Sequence, residues 1–299
     1  MDYNQAAMDV KSLTMLEFPK VLERLAAYAD FSASAELARN LRPTADLQEA
    51  LARQATTTEA RRLLSVKSEV SIGGARDVRP LVERAARSGV LLPAEFLEIK
   101  STLIAARDLY RTLENKAAEY PHLAEIARPL APPPGLIEAI SRTISERGEV
   151  LDSASPRLAS LRAEIKVAHE RLLSRLQKML QDPKNAPHLQ EAIITLRNGR
   201  YVIPLRAESR GRIRAIVHDQ SSSGATLFVE PLAVVELNNE WHELQLAERD
   251  EERRILSELS DQVGAHSAAI IAIVEALARL DLAEKGGRDA GLQGARDRR

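Results

Sequence analysis

The sequence predicts a mainly α-helical protein carrying one small β module, and three observations predict it. Leu, Ala, Glu and Arg dominate while aromatic residues make up only 3% of the chain, the composition of long helices with aliphatic seams. Apolar residues recur at steps of three and four over most of the length. One internal segment breaks that period, with β-branched runs flanking an Asn-Gly pair. A hydrophobic content of 44% in 299 residues supplies a core for one large domain or two ordinary ones.

The first half reads as helices joined by short turns. Leu16, Phe18, Val21, Leu22 and Leu25, then Phe31, Leu37 and Leu41, outline two short amphipathic helices, the second stopped by Pro43. A longer helix is expected from Asp46 to about Val66 with Asp46 as N-cap, followed by a break at Gly73 and Gly74. Val78 to Arg87 and Pro93 to about Lys116 read as two more helices separated by Ser88 and Gly89. The proline-rich stretch from Ala131 to Gly135 reads as a loop.

Two long arms follow. Leu158, Leu161, Ile165, Ala168, Leu172, Leu176 and Met179 form one seam, stopped around Asp182, Pro183 and Pro187. Leu237, Trp241 and Leu244, then Ile255, Leu259, Val263, His266, Ile270, Ile273, Leu277 and Leu280, form another. Such stripes need a partner, and each is the antiparallel partner the other requires. Between them lies the β module. Ala192 to Leu196 and Arg200 to Leu205 flank Arg197-Asn198-Gly199 as a hairpin, and Arg212 to His218 and Ala225 to Val229 form a second pair around Asp219 to Gly224.

Composition excludes several kinds of chemistry. The chain has no cysteine, hence no disulfide, thiolate nucleophile or Cys-ligated zinc, which fits a reducing cytoplasm. No apolar run approaches the ~20 residues of a membrane helix, and the opening residues lack a signal-peptide pattern. Neither G-x-x-x-x-G-K-[ST] nor G-x-G-x-x-G occurs, so no nucleotide site is expected. His169-Glu170 and His242-Glu243 open like zinc-protease helices, but Leu173 and Leu246 stand where the second histidine belongs, so no metal site is expected. Ser221, Ser222, Ser223 and Gly224 lack the nucleophile-elbow glycine, where Gln220 stands, and read as a polar loop. His218 and Asp219 could form a proton relay but are read as turn residues, and Trp241 as seam packing. No catalytic residue is expected.

What remains is basic. The net charge is −1, so nucleic-acid affinity has to come from local clustering. Arg197, Arg200, Arg206, Arg210, Arg212 and Arg214 crowd the β module, and the arginine fork matches phosphate oxygens. Alternating arginines also describe the solvated face of a two-stranded ribbon, so charge alone leaves both readings open. Only Tyr201 and Phe228 lie beside them, which disfavours base stacking and single-strand recognition.

The string from His218-Asp219-Gln220-Ser221-Ser222-Ser223-Gly224 through Ala225-Thr226-Leu227-Phe228-Val229-Glu230-Pro231, preceded by Arg197-Asn198-Gly199-Arg200-Tyr201-Val202-Ile203-Pro204, resembles the clamp region of the second MutS subfamily. Leu16-Glu17-Phe18 and the run from Ile72-Gly73-Gly74 to Asp77-Val78-Arg79-Pro80 resemble the opening of the same proteins. The resemblance spans roughly Tyr3 to Ala283 and implies a helical core over 1–150, an ascending lever helix over 151–186, a β clamp over 187–231 and a returning lever helix over 232–283.

In that family a dimerising P-loop ATPase, which uses ATP and magnesium, and often a nuclease domain follow. The resemblance therefore implies a chain without enzyme activity or cofactor of its own, and a homodimer formed through domains outside it. It implies duplex or branched DNA as ligand, in restraint of recombination, or alternatively ribosomal RNA on stalled or collided ribosomes. The subfamily lacks the mismatch-reading domain of repair MutS proteins. From Glu284-Lys285-Gly286-Gly287 the apolar period stops, and residues 284–299 are expected to be a disordered tail, as in a shortened or frame-shifted reading of a longer gene.

Overall fold

The computed structural model describes residues 10–66 and 73–296. The chain divides into two compact units, Met1–Leu151 with Leu256–Arg299, and Asp152–Ile255. Ile72, the opening residues from Tyr3 to Asp9, and residues 297–299 of the expected tail lie outside the described residues.

The first unit is helical. Its elements are α1 (Val10–Met15), α2 (Phe18–Ala27), α3 (Ser32–Arg39), α4 (Leu47–Val66), α5 (Arg79–Ala86), α6 (Pro93–Glu114), α7 (Pro121–Ala127) and α8 (Leu136–Thr143). The expected cap is present: Asp46 Oδ1 accepts from the Gln48 and Glu49 amides at 2.8 and 3.1 Å, starting α4. The carboxylate of Glu95 accepts the Leu92 amide at 2.7 Å at the head of α6. From α4, buried Glu59 accepts the His122 and Leu123 amides at 3.3 and 3.0 Å, satisfying the orphan donors of α7 across the core. Phe96, Ile99, Leu103 and Leu113 of α6 are fully buried.

The second unit contains α9 (Pro156–Gln181), β1 (Thr195–Arg197), β2 (Arg200–Arg206), β3 (Ala215–Gln220), β4 (Thr226–Pro231) and most of α10 (Val235–Ala265). Ser155 caps α9 by accepting the Leu158 amide at 3.0 Å. Partner numbers fall along α10 as they rise along α9, in the pairs Ser155–Glu251, Arg162–Glu248, His169–Trp241 and Arg171–Glu240. The two helices are therefore antiparallel. The strands form one antiparallel sheet in the order β1-β2-β4-β3, which joins the two expected hairpins side by side. Asn198 and Gly199 both have positive φ, at 50° and 75°, as a two-residue hairpin turn between β1 and β2 requires. Ile203, Leu205, Leu227 and Val229 share one sheet face, and with Leu172, Leu176 and Trp241 they make one core.

Three expectations are corrected. The returning arm is not one helix to residue 283: the chain breaks at His266, bends by 65°, and continues as α11 (Ser267–Arg296). α9 begins at Pro156, opposite Glu251, so the later part of the seam has no α9 left to pack on. Leu259, Val263, Ile270, Ile273, Leu277 and Leu280 are instead buried in the first unit, where α11 packs on α3, α4 and α5. Second, the tail expected to be disordered from 284 is helical to Arg296. Each helical glycine costs about 1 kcal/mol relative to alanine, and buried Lys285, one residue before the first of them, anchors that part of α11 through an ion pair with Asp30 at 2.8 Å. Third, β3 starts at Ala215, so Arg212 and Arg214 lie in a connector and not in a strand. The structure also adds α1, α7 and α8 as separate helices.

Candidate nucleic-acid interface

The geometry around the arginines follows from where the β2–β4 ladder ends. Ile203 pairs with Val229, so the next position on that side would set Tyr201 against Pro231, which has no amide hydrogen. Asn238 of α10 takes the strand's place. Its Oδ1 accepts the Tyr201 amide at 3.0 Å and its Nδ2 donates to the Tyr201 carbonyl at 3.1 Å. The same Nδ2 donates to Glu230 Oε1 at 2.8 Å. The Tyr201 hydroxyl lies 2.7 Å from His169 Nε2 on α9, and both rings pack on Trp241.

Glu230 is 1% exposed, a carboxylate that must be matched inside the protein. Besides Asn238, it accepts from Arg200 Nη1 at 3.0 Å and lies 2.6 Å from His218 Nε2. His218 sits where β3 shifts register between Val217 and Asp219, and this irregularity delivers its ring to the carboxylate.

The six arginines separate into two groups. Arg197 lies over the Phe228 ring at 4.2 Å and pairs with Asp219 at 3.3 Å. Arg200 is held by Glu230, and Arg206 donates from Nε to the Leu189 carbonyl at 3.1 Å. Strand alternation puts Arg200, Val202, Pro204 and Arg206 on the face opposite the core, so these long side chains cover the sheet.

Arg210, Arg212 and Arg214 differ. All three are exposed, and their side chains have no hydrogen-bond or ion-pair partner among the described residues. The connector that carries them is nevertheless anchored. Ser209 is buried with its hydroxyl 3.2 Å from His188 Nδ1, Ile213 enters the core of the sheet, and Gly211 supplies a φ of 84° between them. Turn hydrogen bonds from the Arg210 and Arg212 amides to Ala207 and Ser209 close the loop at 3.2 and 3.0 Å. Buried residues thus alternate with outward cations on a segment of defined backbone.

The other residues singled out above serve the fold. Asp219 pairs with Arg197 and His218 with Glu230, both within β3, so neither is a turn residue. Ser221 Oγ accepts the Thr226 amide at 3.0 Å and shapes the β3–β4 turn. Tyr201 is committed to His169 and Phe228 to Arg197, leaving neither ring free to stack on a base. No group of three or more metal-ligating side chains occurs among the described residues, and no single described helix is long and apolar enough to cross a membrane. Glu230 and Asn238, which decide how the arginines are used, were missed in sequence because nothing local marks a carboxylate as buried. The one available signal was Pro231, whose missing donor calls for a substitute.

No protein-family model matches the chain. Curated relatives do. The chain is 46% identical over 274 residues to endonuclease MutS2 of Thermomicrobium roseum, a match covering 91% of this chain and 34% of that protein. It is 41% identical to endonuclease MutS2 of Pelotomaculum thermopropionicum and 43% identical to that of Geobacillus thermodenitrificans, each over 92% of this chain and 35% of the relative. The chain therefore spans about a third of the length of the curated relatives it matches. With this identity running through both the helical unit and the helix-borne sheet, the chain belongs to the MutS type-two family.

Proposed function

We propose that this chain grips duplex or branched DNA through backbone phosphates, using Arg210, Arg212 and Arg214, and performs no chemistry of its own. The observation that carries this reading is three exposed, unpartnered guanidinium groups on a connector anchored by Ser209 and Ile213. A guanidinium left without a carboxylate keeps its full charge for a ligand, and the anchored backbone lowers the ordering cost of binding. The commitment of Tyr201 and Phe228 within the protein favours a duplex over a stacked single strand. The relatives' name, endonuclease, fits a nucleic-acid ligand.

The test is a salt titration of the chain on labelled duplex and four-way-junction DNA, with purified ribosomes as competitor. Each phosphate contact on a duplex contributes about 0.9 to the slope of log K against log salt. Reversing Arg210, Arg212 and Arg214 to glutamate is expected to flatten that slope by about 2 to 3. An unchanged slope sinks the assignment, and loss of DNA to ribosomes replaces it with ribosomal RNA as the ligand.

A further inference from the structure

We propose that the phosphate-binding surface continues from the connector onto the end of α9 and the turn that follows it, through Arg175, Lys178 and Lys184, so that the ligand's backbone is followed along the helix end as well as at the loop. This extension rests on the nucleic-acid reading above.

The cations of α9 are used differently. Arg162 is consumed, pairing with Asp152, Glu248 and Glu252, whereas Arg157 approaches Glu251 only at 3.9 Å and stays largely exposed, and Lys166 is exposed. Arg171 reaches Glu240 only at 4.0 Å, with both side chains about half exposed or more. Beyond it, Arg175, Lys178 and Lys184 are exposed, and their side chains have no hydrogen-bond or ion-pair partner among the described residues.

The helix itself gains nothing from this arrangement. Arg171, Arg175 and Lys178 stand at spacings of four and three, where like charges oppose one another by a few tenths of a kcal/mol. No carboxylate occupies the positions three or four residues from Arg175. An external anion relieves that repulsion.

The end of α9 and the segment after it are tied to the connector. Met179 and Leu180 pack into the same core as Ile213, and Asn185 Nδ2 donates to the Met179 carbonyl at 2.9 Å. The Leu189 carbonyl accepts from Arg206, and His188 meets Ser209 at 3.2 Å. The segment carrying Lys184 therefore links the end of α9 to the loop of Arg210 and Arg212.

Opposite charge marks where the track stops. α10 carries nine acidic residues against three basic, whereas α9 carries six basic against two acidic. Glu236 and Glu243 on α10 are exposed and repel a phosphate backbone, leaving α9 as the side that accepts it.

The experiment compares three forms of the full chain on one labelled DNA duplex over a range of salt: the parent, Arg175→Gln/Lys178→Gln/Lys184→Gln, and Arg210→Gln/Arg212→Gln/Arg214→Gln. All six residues are exposed, and thermal melting verifies that each variant is folded. The helix variant is expected to lower the slope of log K against log salt by about 2 to 3, as the connector variant does. A helix variant with the parent slope beside a flattened connector variant overturns the extension and leaves the connector reading standing. Parent slopes in both variants overturn both.

Discussion

Arg200 donates to Glu230 at 3.0 Å, and Glu230 is 1% exposed, so one of the six module arginines neutralises a buried carboxylate and is not free for a ligand. Arg200→Ala is expected to destabilise the second unit by about 2–3 kcal/mol, with His218 and Asn238 limiting the loss. Arg212→Ala, which removes no internal partner, should change stability by about 0.5 kcal/mol or less. Urea unfolding of the two variants checks the contrast, and equal midpoints would contradict it.

Asn238 stands in for a strand at Tyr201. Asn238→Leu removes the partner of the Tyr201 amide and carbonyl and one donor to Glu230. Leaving such groups buried and unpaired costs about 1–3 kcal/mol each, so a loss of several kcal/mol is expected. Hydrogen exchange at the Tyr201 amide reads this directly; protection equal to the parent would show that the amide has another acceptor.

Gly264 tests close packing in the first unit. An added Cβ would lie 2.7 Å from the Ala85 carbonyl oxygen of α5, which cannot swing aside as a side chain would. Alanine improves helix propensity by about 1 kcal/mol, whereas overpacking costs about 1–3 kcal/mol. Gly264→Ala is therefore expected to lower the melting temperature, and a rise would show that α10 and α5 separate easily.

Glu251 couples α9 to α10 in a pH-dependent way. Hydrogen bonds from Arg254 and then Ser155 hold its pKa at about 2, below the ordinary 4.5. A depressed carboxylate stabilises the fold in its ionised form. That contribution is complete above pH 4.5 and is lost as pH falls towards 2. The stability difference between the parent and Glu251→Gln should thus be present at neutral pH and shrink across that window. Chemical unfolding over a pH series measures it, and a difference independent of pH would exclude Glu251 as the titrating group.

Much of the fold was legible because its signals are local. Asp46 and Pro93 begin helices where their chemistry requires, and Asn198-Gly199 closes a hairpin with both φ values positive. The seams on α9 and α10 were visible as periodicity. Where the second seam changes partner was not, since Leu259 and Ile273 satisfy the same apolar step against any aliphatic surface.

The interface divides in the same way. Sequence alone determined that six arginines would crowd one β module, that no phosphate-loop motif accompanies them, and that helices would flank it. Tertiary structure alone decided that Arg197, Arg200 and Arg206 are bound internally while Arg210, Arg212 and Arg214 are not. The reason is electrostatic. A guanidinium's availability depends on whether a carboxylate or carbonyl faces it across the fold, and Glu230 meets Arg200 from 30 residues away.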